Sequence, residues 1–69
     1  MSTIAPQLRI GTVVSISSTR LNLTNVQATV TRLNVLSISD SFFCQTLAGE
    51  QYAFFGDEVD ECTTIISHP

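Results

Sequence analysis

Phe42-Phe43-Cys44-Gln45-Thr46-Leu47-Ala48-Gly49-Glu50-Gln51-Tyr52-Ala53-Phe54-Phe55 is the stretch whose reading decides the fold. Two runs rich in aromatic and β-compatible residues, Phe42–Leu47 and Gln51–Phe55, flank Ala48-Gly49-Glu50. A short linker with a glycine between two such runs predicts a β-hairpin, because Gly supplies the positive φ that tight hairpin loops need. All five aromatic residues of the chain fall inside this stretch. Successive side chains of a strand point to opposite faces, so Phe42-Phe43 and Phe54-Phe55 must each send one ring to either side. One face can line a core. The other presents Phe, Tyr or Ala side chains outward, and a contiguous exposed apolar patch marks a contact surface.

Upstream, Leu8, Ile10, Thr12, Val14 and Ile16 alternate with Arg9, Gly11, Val13 and Ser15. This period-two pattern predicts a first strand. Ser17 to Asn25 is polar and reads as a long connection, with Leu21 and Leu23 folding back onto the core. Val26, Ala28 and Val30 then form one apolar face of a second strand. The phase changes further on, where Leu33 and Val35 are odd while Leu36 and Ile38 are even, as a β-bulge would produce. A bulge there would bend the strand as a small barrel requires. Ser39-Asp40-Ser41 predicts a turn, Gly56 to Glu61 a turn or single helical turn, and Cys62 to Ile66 a last short strand. No segment carries ten or more residues of helical periodicity. The short matches Thr19-Arg20-Leu21-Asn22 and Thr31-Arg32-Leu33-Asn34 share no period with any other match and do not indicate a repeat array.

A chain of 69 residues is expected to form one domain, residues 1–69, with 1–7 as a short N-terminal arm. A domain of this size buries only about 60% of its unfolded surface and gains from oligomerisation, disulfides or metal. Apolar residues are 43% of the chain, enough for a core. Charged residues are 13%, against about 25% in typical soluble domains, and there is no Lys. A surface so poor in charge is a poor monomer surface.

The order of five short strands, a long first connection and a helical turn before the last strand resembles the SH3-like small-barrel superfamily. The residues that carry the resemblance are Ile10-Gly11-Thr12-Val13-Val14, Ala28-Thr29-Val30, and Gly49-Glu50-Gln51-Tyr52-Ala53-Phe54-Phe55 leading into Asp57-Glu58-Val59. The pattern is also similar to KOW-type modules and to small accessory subunits of photosynthetic complexes. The resemblance implies an all-β fold, a small five-stranded barrel or strongly bent antiparallel sheet. It does not fix a function. The proline-binding surface of true SH3 domains needs clustered aromatics with a Trp, and this chain has none.

Several function classes find no support. The net charge is −3, and Arg9, Arg20 and Arg32 do not cluster, so phosphate neutralisation, which dominates nucleic-acid affinity, is poorly served. No run approaches the eighteen or so apolar residues of a membrane span. The N-terminal Met-Ser-Thr-Ile-Ala-Pro lacks the basic start and apolar centre of a signal peptide, so the expected compartment is the cytoplasm. Asn22-Leu23-Thr24 fits a glycosylation sequon, which needs a secretory route. Cys44 and Cys62 lack CxxC spacing and a basic context, and are expected reduced and unpaired. Asp57, Glu58, Asp60 and Glu61 lack the ligand spacing of an EF-hand and read as a solvated turn stabilising a helical N-terminus. The Asp57-Glu58-Val59-Asp60 match to a caspase cleavage sequence is read as coincidence. His68 sits beside the C-terminus, where a general base is seldom held in place.

No catalytic, cofactor or metal site is therefore expected. The expectation is a non-enzymatic interaction module that associates with itself or with another protein, its interface carried by Phe43, Tyr52 and Phe55. The alternatives are a nucleic-acid-associated small barrel, and an oligomer with a small-molecule site between subunits. Ile10, Val14, Ile16, Val26, Ala28, Val30 and Phe54 form the expected core.

Overall fold

A computed structural model describes residues 4–35 and 40–69. Five strands form one antiparallel sheet: β1 Val13–Ser18, β2 Leu23–Leu33, β3 Ser41–Thr46, β4 Gln51–Phe55 and β5 Thr63–Ser67. A 3-10 turn, Ala5–Gln7, precedes β1, and a short helix, α1 Asp57–Cys62, stands between β4 and β5. The strand order is β4-β3-β2-β1-β5, so β1 to β4 make a meander and β5 returns to pair with β1.

The connection from β4 to β5 shows why the sheet bends. Laid flat, four inter-strand spacings of about 4.8 Å would separate β4 from β5 by roughly 19 Å. Gly56 and α1 must bridge the two strands, and a six-residue helix spans only about 9 Å. The sheet therefore curls, with the core on its concave side. Val59 of α1 is fully buried against that core. The overall extents are 26 × 25 × 20 Å.

Three of the four strand pairings carry a register shift, and these supply the bend. In β2, Val30 lies opposite Cys44, while Arg32 lies opposite Phe43 and Leu33 opposite Phe42. Thr31 is thus the extra residue of a bulge. The inward parity passes from Ala28 and Val30 to Leu33 and Val35. This bulge lies upstream of the phase slip read from the sequence, which falls between Val35 and Leu36; Leu36, Ile38 and Ser39 lie outside the described residues.

The core comprises Leu8, Val14, Ile16, Ala28, Val30, Phe42, Cys44, Phe54 and Val59. Five of the seven expected core residues are buried: Val14, Ile16, Ala28, Val30 and Phe54. Val26 is half-buried at its margin, with Leu21 and Leu23 beside it. Ile10 departs from expectation, being 65% exposed. The alternation from Leu8 suggested continuous strand, but residues 9–12 form a turn. Thr12 N–H donates to the Arg9 carbonyl, and Gly11 has φ 99°. Strand geometry starts only at Val13, so Ile10 swings outward while Thr12 is fully buried.

The first connection is also shorter than expected, since β1 runs on through Ser18 and β2 begins at Leu23. Asn22 takes positive φ there, 56°, and Asn25 does so early in β2, 51°. The N-terminal arm is tied down from Ile4 onward. The Ile4 N–H donates to Asp60 of α1 at 2.9 Å, and Leu8 enters the core.

Candidate interaction surface

The β3–β4 hairpin is built around Gly49, which has φ 90°. Thr46 closes the loop at both levels. Its N–H donates to the Glu50 carbonyl at 2.9 Å, and its Oγ1 accepts from the Glu50 N–H at 3.2 Å. From there the pairing runs without a shift: Gln45 opposite Gln51, Cys44 opposite Tyr52, Phe43 opposite Ala53, Phe42 opposite Phe54 and Ser41 opposite Phe55. It is the one pairing in the sheet with no irregularity.

Directly opposed residues share a face. Phe42 and Phe54 lie inward, fully buried, their ring centroids 5.6 Å apart and tilted by 34°. Phe43, Ala53 and Phe55 lie on the outer face, each half-buried. Tyr52 lies on the inner side with Cys44, at the sheet margin. The three residues expected to form one interface are therefore divided: Phe43 and Phe55 share a face, and Tyr52 sits on the other.

Tyr52 donates its hydroxyl to Glu50 Oε2 at 3.1 Å. Desolvation raises its pKa above the ordinary phenol value, with the Glu50 hydrogen bond and charge adding to the rise. Cys44 is fully buried, and burial pushes its thiol up to about 11 against a weak contact with the Tyr52 carbonyl. Neither Cys44 nor Cys62 is in a disulfide.

Beside the outer ring of Phe43, the bulge opens a shallow hollow of about 280 Å³ lined by Thr31, Arg32, Phe43 and Gln51. Around it, the outward residues of β1 to β4 include Val13, Ser15, Gln27, Thr29, Gln45 and Gln51, all uncharged. Arg32 is the one charge on this part of the sheet. Leu47, at the hairpin tip, is 97% exposed, although the sequence pattern places it at the end of a strand.

The other candidates take ordinary structural roles. Arg20 Nε and Nη2 both donate to Glu58 Oε2, the shorter bond 2.8 Å, and Asp60 holds the N-terminal arm. Among the described residues, no three His, Cys, Asp or Glu side chains are grouped to hold a metal ion. His68 is held more firmly than its position suggests, with Nδ1 3.4 Å from the buried Thr12 hydroxyl. Pro69 packs against Gly11. No helix is long and apolar enough to cross a membrane, among the described residues.

Two site features lay within reach of sequence reasoning. Tyr52 and Phe55 are an odd number of residues apart in one strand, so they cannot share a face. The bulge at Thr31 is written in the parity change from Val30 to Leu33. The choice between Phe42 and Phe43 as the outward ring was not accessible, because it depends on how the Gly49 loop sets the register. No known protein family, no characterised protein and no solved structure matches the chain.

Proposed function

We propose that this chain is a non-enzymatic interaction module that self-associates through its β3–β4 hairpin, as a homo-oligomer or as an accessory subunit of a larger protein assembly. The observation that carries the reading is the outer face of the hairpin, where Phe43 and Phe55 flank Ala53 on a sheet surface nearly free of charge. Aromatic anchors on a charge-depleted surface are the composition of an interface core. The strand order β4-β3-β2-β1-β5 with a helical segment before β5 supports the resemblance to SH3-like small barrels.

Sedimentation equilibrium over micromolar concentrations tests this reading. The expected result is a mass above that of the 7.5 kDa chain, returning toward it in Phe43→Glu or Phe55→Glu. A mass of one chain at every concentration would refute self-association.

A further inference from the structure

The hairpin that carries the proposed association also ends the sheet. Strands β4 and β5 are its two edges. Edges expose unpaired backbone N–H and C=O groups, and proteins blunt them with charge, Pro, bulges or covering segments. β5 has two such devices, a register shift against β1 and Pro69 two residues beyond its end. β4, Gln51-Tyr52-Ala53-Phe54-Phe55, has no charge, no Pro and no bulge.

Antiparallel pairs alternate between those that exchange hydrogen bonds and those that do not. Thr46 N–H bonds the Glu50 carbonyl, and Gly56 N–H bonds the Asp40 carbonyl at 2.7 Å. The two bonds fix the phase. Glu50, Tyr52, Phe54 and Gly56 turn their backbone groups toward β3. Gln51, Ala53 and Phe55 turn theirs to the open edge. No hydrogen bond outside the β3–β4 ladder reaches these three among the described residues.

We infer that β4 pairs with β4 of a second copy, antiparallel across a two-fold axis beside Tyr52, joining two sheets into one. This rests on the reading of the hairpin as a self-association surface. An edge of free backbone groups is recognised by another extended strand. A second copy fits because the strand is neutral, so a two-fold axis opposes no like charges within it.

Electrostatics selects the register. A two-fold at Ala53 would set Glu50 opposite Gly56 of the other copy, next to the acidic start of α1 at Asp57 and Glu58. It would also drive the Phe55 end, where α1 packs, into the contact. A two-fold beside Tyr52 sets Glu50 opposite Phe54 and keeps the acids apart. Gln51 and Ala53 of the two copies then form two hydrogen-bonded pairs. Tyr52 meets Tyr52 in the closer, non-bonded pair between them, a favourable place for an aromatic pair.

The test uses the full chain. Ala53→Pro removes an N–H that points out of the sheet, where an edge strand tolerates Pro. It is expected to raise the dimer dissociation constant at least about tenfold by sedimentation equilibrium, a loss of about 1.4 kcal/mol. Tyr52→Lys, which sets two like charges against each other in the central pair and lies off the Phe43–Phe55 face, is expected to do the same should the Pro variant not fold. Amide hydrogen exchange gives a readout independent of mutation: the Gln51 and Ala53 amides gain protection as protein concentration rises. Tyr52 is the sole Tyr, with no Trp, so tyrosine emission reports the same contact.

The outcomes separate the two readings. A monomer at all concentrations overturns both. An oligomer that Phe43→Glu or Phe55→Glu dissociates while Ala53→Pro and Tyr52→Lys leave it intact keeps the hairpin face and overturns edge pairing. So does exchange at Gln51 and Ala53 that is indifferent to concentration. A mass that climbs beyond the dimer and still does so in Phe43→Glu and Phe55→Glu overturns the two-fold, since a single two-fold contact closes at two copies.

Discussion

Val30 shows how much a single core position carries. It pairs with Cys44 across β2–β3 and is 1% exposed. Val30→Ala removes two methyl groups from a site without room to collapse, so the urea midpoint should fall, with a loss on the order of 1–3 kcal/mol. Its neighbour Cys44 ties stability to alkaline pH. The folded thiol titrates at about 11, above its unfolded value near 9.0, because burial penalises the thiolate. Below pH 9 both states hold the proton and the contribution is fully present. Between pH 9 and 11 the unfolded state sheds it first, so stability declines as pH rises. Urea midpoints measured from pH 8 to 11 should fall, and Cys44→Ala should flatten the part of that slope not due to Tyr52, whose phenol is also shifted upward. The same burial should leave Cys44 slower than Cys62 toward alkylating reagents in the native state. Even parity alone identified Val14, Ile16, Ala28 and Val30 as core. Parity misplaced Ile10 because a side-chain pattern does not register the positive φ of Gly11, which breaks the strand while the alternation continues.

Among the elements, the hairpin was the most legible and its facing the least. Its loop depends on Gly49 at φ 90°, with nothing within 4 Å of where a Cβ would stand. Substitution there meets no clash, only backbone strain. Gly49→Ala is expected to cost about 1–2 kcal/mol in thermal or urea unfolding, and Gly49→Asn less, because Asn tolerates the left-handed region. A Gly49→Ala variant as stable as the parent would show that the loop adopts another conformation in solution. α1 behaves differently. Its acidic first turn suits the helix N-terminus, as the sequence suggested, and Val59 secures it to the core. The Arg20–Glu58 contact is a surface pair, its side chains 59% and 36% exposed. Arg20→Ala should therefore change stability by less than about 1 kcal/mol, an effect salt reduces.

At the scale of the whole molecule, the sequence conveyed the strand count and the bend but not the chain's two edges. Which strands end a sheet is set by pairings between distant segments, and no local pattern encodes them. Charge scarcity and aromatic clustering pointed to the hairpin, while β4 as an unguarded edge emerged only from the strand order. That order also has a kinetic side. Strands β1 to β4 can zip through successive neighbours, but β5 must find β1 across nearly the whole chain. Closing such a loop costs entropy before the contact returns any, so non-local sheets fold on the millisecond-to-second scale. Until β5 docks, β1 takes its place as the sheet's second edge, bare where the finished fold covers it. Stopped-flow refolding should then show Ile65→Ala, in the strand that docks last, chiefly speeding unfolding and leaving the folding rate nearly unchanged. The chain thus passes through an interval in which β1 offers its copies an edge that the finished fold covers, and crowding at that moment would lead to aggregates rather than to paired sheets.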